Sequence, residues 1–142
     1  MSESAPVRGV VVGHGGLAEG LVDAVRQITG ADGDMISAVS NRGLGPEALR
    51  ERLEAALGAG PALVFVDLSM GSCGMAARRI ARERPDTAVL FGVNLPQLLD
   101  FVTHRDLSLQ EIVARALERG RSAICCDDEP DGAHADRSAP DR

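Results

Sequence analysis

The sequence predicts an α/β domain with an open, mostly parallel sheet and helices on both faces. Two observations predict it. Short apolar runs alternate with stretches whose apolar residues recur at helical spacing. The strand–helix alternation repeats four times in a row, the order that builds parallel sheets through crossover helices.

The elements follow in order. "VRGVVV" (7–12) reads as the first strand. "GLAEGLVDAVRQITG" (16–30) reads as a helix with an apolar face of Leu17, Leu21, Val25 and Ile28, closed by Gly30. "DMISAV" (34–39) is a second strand. "GPEALRERLEAALGAG" (45–60) opens with Pro46 and repeats Leu49, Leu53 and Leu57, a second helix. "PALVFVDL" (61–68) is the most continuously apolar run, as expected of a central strand buried on both faces. "GSCGMAARRIARERP" (71–85) is a glycine-rich turn and a helix that Pro85 stops. "TAVLFGVN" (87–94) is a fourth strand. "PQLLDFVTHRD" (96–106) and "SLQEIVARALERG" (108–120) are helices, the latter opening on a Ser108–Glu111 capping box. "RSAICC" (121–126) reads as a short last strand. One domain therefore spans 1–126. Residues 127–142 hold six acids and two arginines, a polar, acidic composition that predicts a disordered tail.

Composition narrows the function. The chain has 142 residues and 44% apolar content, with three Phe and neither Trp nor Tyr, so its core must be aliphatic. All fifteen basic residues are arginine and the net charge is −6. That balance lacks the positive excess a general nucleic-acid binder needs. No run reaches membrane-spanning length and "MSESAPVR" is not a secretory signal, so a cytoplasmic protein without membrane insertion is expected. Three cysteines, with no Cys-x-x-Cys or Cys/His zinc spacing, predict neither a disulfide framework nor a metal site, and no cofactor motif is present. Cys125 and Cys126 read as small apolar side chains at the end of the fold.

In a parallel sheet of this kind the working site lies beyond the carboxyl ends of the strands, where strand order reverses. Strand one ends at Gly13–His14–Gly15–Gly16, strand two at Ser40–Asn41–Arg42, strand three at Asp67–Leu68–Ser69–Met70–Gly71–Ser72, and strand four at Asn94–Leu95–Pro96. His14 is the leading candidate. A strand-end histidine is often turn filler, but glycine neighbours give a bulky group access and a helix N-terminus suited to an anion follows at once. Asp67 ends the most apolar strand, where a carboxylate needs a partner. It reads as a capping aspartate or as the group that accepts from His14 Nδ1–H and leaves Nε2 free as a nucleophile. In "MGSCG" (70–74), Ser72 and nearby N–H groups can cradle phosphate oxygens, although many strand–helix turns look alike. Neither GxGxxG nor a Walker sequence is present, and Ser69 and Ser72 lack a nucleophile elbow. His104 reads as a surface residue at a helix end and His134 as solvated tail.

Three segments together carry a resemblance. "VVGHGGLAEGLVDAV", "VFVDLSMGSCGMAARRI" and "VLFGVNLPQLLDFVTHRD" resemble, in order, the phosphohistidine, Asp-x-x-Gly-Gly-Ser/Thr-Pro and Gly-Val-Asn-Leu/Ile-Pro segments of the mannose-family enzyme IIA domain of the bacterial phosphoenolpyruvate:sugar phosphotransferase system. The resemblance spans residues 7 to about 124. It implies a homodimer whose last strand, "RSAICC" here, crosses between subunits. It also implies a histidine that takes a phosphoryl group from phospho-HPr and passes it to a separate IIB protein in sugar uptake. By residue match His14 is that histidine and Asp67 its orienting carboxylate. Ser72 matches the hydroxyl that helps bind the phosphoryl group, Gly15 and Gly71 are expected to bind it too, and no metal is called for. Asn94 and Pro96 match the third segment without a catalytic role. The chain departs from the pattern at Gly13, where Ser or Thr is usual, and at Met70, Cys73 and Met75, where Gly, Pro and Asn are usual. Two other readings stay open: a regulatory IIA-like protein that signals by phosphorylation state, and a non-catalytic module that binds a small anion.

Overall fold

The computed structural model describes residues 5–127. The acidic tail expected from 127 onward, His134 included, lies outside the described residues except for Asp127. The order is β1 (Arg8–Gly13), α1 (Leu17–Thr29), β2 (Ile36–Ser40), α2 (Pro46–Leu57), β3 (Ala62–Val66), α3 (Ser72–Glu83), β4 (Thr87–Phe91), α4 (Leu95–Val102) and α5 (Leu109–Ser122). The four strands are all parallel, in the order β2-β1-β3-β4. Strand order reverses between β1 and β3, which puts the switch point where the sequence expects it.

Side chains alternate across each strand, so β1 and β3 feed two cores. Val10, Val12, Val64 and Val66 pack under α2 and α3 with Leu49, Leu53, Ala77 and Ile80. Val11, Leu63 and Phe65 face α1, α4 and α5 with Val22, Val25, Leu98, Phe101 and Ile112. Phe65 and Phe101 meet edge to face at 5.2 Å between ring centres. The ring of Phe101 lies over Gly9, where a Cβ would stand 2.5 Å from Phe101 Cε2. The glycine in "VRGVVV" is thus the space that seats the buried aromatic ring.

The helix ends follow their local signals. Gly30 closes α1 in the left-handed conformation, Pro46 opens α2, and Ser108 and Glu111 form both halves of a capping box on α5. Asn94 caps α4 by accepting from Gln97 N–H at 3.0 Å and donates to Gly120 O at 2.9 Å. Its role is therefore to join α4 to α5. His104 follows α4 and is more engaged than a plain surface residue: its Nδ1 lies 2.8 Å from Asp100 O, and Arg115 Nη2 is 3.0 Å from its Nε2.

Three expectations need correction. The buried stripe of α1 is Ala18, Val22 and Val25, while Leu17 and Ile28 are exposed. The last strand at 121–126 is not formed. Arg121 and Ser122 complete α5, and the N–H groups of Ala123 and Ile124 fold back onto Arg119 O and Arg121 O. Ile124 is 78% exposed. Cys125 and Cys126 are exposed rather than packed.

Two alanine substitutions are expected to separate seated from open glycines. Gly9→Ala overpacks the Phe101 site and lowers stability by about 1–3 kcal/mol. Gly20→Ala, on the exposed side of α1 with nothing within 4 Å of the added Cβ, raises it by roughly 0.5–1 kcal/mol. Scanning calorimetry reads both as opposite shifts in Tm.

Candidate functional site

The sheet register assembles the site. Gly13 pairs with Ser40, and Val12 pairs with Val66. Gly13, Ser40 and Asp67 therefore stand in one row at the carboxyl edge, and His14 is one step beyond. Of the sequence candidates, His14 and Asp67 meet directly. Asp67 Oδ2 lies 2.8 Å from His14 Nδ1 and accepts His14 backbone N–H at 2.9 Å. Asp67 Oδ1 accepts Leu68 N–H at 2.8 Å. Burial pushes the Asp67 carboxyl up, but the bonds from the His14 ring, the His14 backbone and Leu68 outweigh it. The carboxyl titrates below its ordinary value of 3.8. An ionised carboxylate only accepts, so the ring nitrogen facing it, Nδ1, carries the hydrogen and Nε2 of the neutral ring keeps a lone pair.

The side chain of Asp67 is 9% exposed and that of His14 is 44% exposed. The ring is thus anchored at one nitrogen and open at the other. Gly71 stands on the open side. It takes φ +94°, and a Cβ there would lie 3.4 Å from His14 Nε2. Ser72 begins α3 directly after it, so the unpaired N–H groups of the first turn open near the ring. Gly74 holds this turn tightly, because a Cβ there would meet Ser69 O at 2.8 Å. Ser72 also edges a cleft of about 210 Å³ between the α2 N-terminus and α3, shared with Pro46, Glu47, Met75 and Arg79. His14 does not line that cleft.

The loop after β2 braces the histidine from the other side. Gly15 N–H donates to Asn41 Oδ1 at 3.3 Å, Ser40 Oγ donates to Gly15 O at 2.8 Å, and Asn41 N–H donates to Gly13 O at 3.2 Å. Ser40 Oγ also accepts Arg42 N–H at 3.0 Å. Arg42 Nη2 would lie 3.5 Å from a Cβ on Gly15 and 3.6 Å from one on Gly16. Sequence reasoning found this loop only as a strand end. Its serine, asparagine and arginine form no motif, and only the parallel pairing of β1 with β2 brings them to the histidine.

The four departures from the family pattern lie in different surroundings. A Cβ at Gly13 would come within 3.2 Å of Asp67 Oδ2. Cys73 is fully buried, and burial, with the Asp67 charge second, raises its thiol pKa. One donor atom each from His14, Asp67 and Cys73 lie within 4.8 Å of one another, the one such group among the described residues. The Asp67 oxygen nearest the ring is already taken by His14 Nδ1 and the His14 backbone N–H. Met70 and Met75 are exposed, at 77% and 68%. No helix among the described residues is long and apolar enough to cross a membrane.

Together the switch-point histidine, its buried carboxylate and the glycine-serine turn define an α/β domain with an oriented, accessible imidazole. Residues 9–117 match the EIIA-man family, described as the PTS system fructose IIA component; the chain belongs to that family, the IIA components of the phosphotransferase system. The solved phosphotransferase system component EIIA of Streptococcus agalactiae superposes with a TM-score of 0.78 at 21% identity, covering 84% of this chain and 96% of that one. The mannose/sorbose-specific IIA subunit of Enterococcus faecalis gives 0.77 at 24% identity, covering 89% and 98%. The PTS IIA protein associated with the fucose utilization operon of Streptococcus pneumoniae gives 0.73 at 19%, covering 88% and 96%. These likenesses establish the shared fold. No curated protein matches the chain.

The depressed Asp67 pKa fixes a pH dependence. A carboxyl with a lower folded than unfolded pKa stabilises the fold fully above the unfolded value, near 3.8, and loses that stabilisation as pH falls through the folded value. Asp67→Asn is therefore expected to lower stability at pH 7 and to differ less from the parent near pH 2–3. Urea unfolding at the two pH values measures the difference.

Proposed function

We propose that His14 is a phosphoryl carrier, taking the group from the phosphohistidine of HPr and passing it to a separate IIB protein in sugar uptake. The observation that carries this reading is the 2.8 Å contact between His14 Nδ1 and Asp67 Oδ2. With Nδ1–H committed to the carboxylate, the Nε2 lone pair attacks the phosphorus of the donor in line. A new N–P bond forms as the donor's N–P bond breaks, and the electron pair of the broken bond returns to the donor ring. The substituted His14 ring keeps Nδ1–H and is cationic, and Asp67 stabilises that charge. Transfer to IIB runs the same step in the opposite sense, with His14 as the leaving group.

The surrounding groups stabilise charge on the equatorial oxygens. Ser72 and the first N–H groups of α3 lie on the Gly71 side, while Gly15 lies at the start of α1. Positioning and preorganised dipoles supply most of the catalysis in such transfers. Exposure of the ring supports a reaction between two proteins, since another protein's histidine must reach Nε2. A homodimer belongs to the same reading; Ile124, exposed after the end of α5, is an apolar side chain that a second copy would cover.

Incubation with phosphoenolpyruvate, enzyme I and HPr is expected to add one acid-labile phosphoryl group, read by intact mass, and His14→Ala to abolish it. Asp67→Asn should keep the fold and slow transfer by about a hundredfold or more, the scale of losing one preorganised electrostatic contact. A normal rate in that variant would remove Asp67 from the mechanism. Gly71→Ala, which places a methyl near Nε2, should slow transfer while the His14–Asp67 contact persists in NMR spectra.

A further inference from the structure

We propose that Arg42 is a further phosphoryl-binding residue, whose guanidinium neutralises the group carried on His14 from the side of the site opposite Asp67 and Ser72. The inference rests on the phosphocarrier reading of His14 and adds a residue that no motif of the chain marks.

Three observations carry it. The first is position. Arg42 Nη2 is in van der Waals range of the positions that a Cβ would occupy on Gly15 and Gly16, at 3.5 and 3.6 Å. The guanidinium therefore lies over the two residues that join His14 to α1, where glycine leaves the backbone bare.

The second is anchorage. Arg42 N–H is held by Ser40 Oγ, which also holds Gly15 O, and Asn41 Oδ1 holds Gly15 N–H. The backbone that carries Arg42 is thus fastened to the backbone that carries the histidine.

The third is charge. Two other arginines are engaged: Arg50 pairs with Glu54 and Glu83, and Arg78 donates to Ser69 O at 2.8 Å and stacks 4.5 Å above Phe91; Arg79 lines the Ser72 cleft, which His14 does not line. Among the described residues, the Arg42 guanidinium has no carboxylate or carbonyl partner. A cation held beside a nucleophile without a counter-ion is suited to a group that arrives with its own negative charge.

The strand order gives the location its meaning. β1 lies between β2 and β3. Asp67 and Gly71 meet His14 from the β3 side, and Arg42 stands over Gly15 and Gly16 on the β2 side. Gly13 supplies no hydroxyl next to the histidine, and its Cβ position is crowded by Asp67 Oδ2 at 3.2 Å. The β2 loop adds a donor to those of Ser72 and the helix N-termini, and a guanidinium offers several in one plane.

The test compares the parent chain with Arg42→Ala, Arg42→Lys and, as a control for net charge, Arg52→Ala on exposed α2. Each is phosphorylated in two ways, by phospho-HPr and by phosphoramidate, a small chemical donor that needs no partner protein. Two readouts are taken: the transfer rate by rapid quench, and the pH titration of the bound phosphate by ³¹P NMR. Arg42→Ala is expected to slow transfer about tenfold from either donor, less than the hundredfold loss of a shielded donor because the group faces water. Its phosphate is expected to titrate at a higher pH, because the second negative charge loses its partner. Arg42→Lys should restore part of both effects and Arg52→Ala should show neither. A merely structural role for Arg42 would leave the phosphate titration unmoved.

Parent-like rates and titration in Arg42→Ala overturn the inference. If phospho-HPr fails to label the parent while phosphoramidate labels His14 with an Arg42-dependent titration, the carrier reading falls and Arg42 stands. No label on His14 from either donor overturns both.

Discussion

The structure around the site depends on one carboxylate. Asp67 leaves the sheet at the end of its most buried strand, with its side chain 9% exposed. A carboxylate in such a place costs several kcal/mol unless its lone pairs are met. Three N–H donors meet them: the His14 ring, the His14 backbone and the Leu68 backbone. Two of the three come from a neighbouring strand 53 residues away in sequence. The same contacts that make the buried charge tolerable therefore tie β1 to β3 across the switch point and set the plane and tautomer of the ring. Stability and orientation are here the same set of bonds.

Glycines around this tie record its tightness. Gly13 faces the carboxylate, Gly71 faces the free ring nitrogen, and Gly74 lets the α3 backbone close on Ser69 O. Gly13 and Gly71 stand where a side chain would press on an atom the site uses, and Gly74 where it would press on the backbone of the turn. The buried Cys73 belongs to the same arrangement. It occupies the inner side of the first turn of α3 among Ala76, Ala77 and Ile80, so it behaves as a small apolar residue. In this chain the positions that depart from the family pattern divide into a crowded one, Gly13, a buried one, Cys73, and two at the surface, Met70 and Met75.

Much of this was legible in the sequence because local rules govern it. The four strands are short apolar runs bounded by turn residues, and the helices carry their own stops and starts, Gly30, Pro46, Asn94 and the Ser108–Glu111 box. The pairing of His14 with Asp67 followed from topology, since a strand–helix alternation places both at one sheet edge. The failures were of another kind. On α1 the large residues Leu17 and Ile28 suggested the buried face, yet the inward stripe runs through Ala18, and a small residue gives a weak signal for a side that packs closely on the sheet. Residues 121–126 had strand-like composition, but a strand exists only where an edge is available to pair with. Within one chain the hydrogen bonds of the α5 end were nearer, and the two arginines in its last turn suit the helix dipole there. Arg42 was silent because an arginine after a strand has no local signature. Its place over Gly15 and Gly16 follows from the pairing of β1 with β2.

That register gives a reason why a parallel switch point suits the proposed phosphoryl carrier. A carrier must bind a phosphoryl group well enough to take it and loosely enough to give it up. A closed pocket would hold the group but exclude the partner proteins, whereas a bare surface histidine would be reachable but unoriented. At the switch point two flanking loops approach the central strand end from opposite sides, while the direction away from the sheet stays open. Asp67 then fixes the nucleophile from below and one side, glycine backbone keeps Nε2 clear, and the cation offered by the β2 loop faces solvent, where its attraction is moderated by water and salt. On the proposed reading, the open face that leaves the His14 ring 44% exposed is what keeps the phosphoryl group transferable.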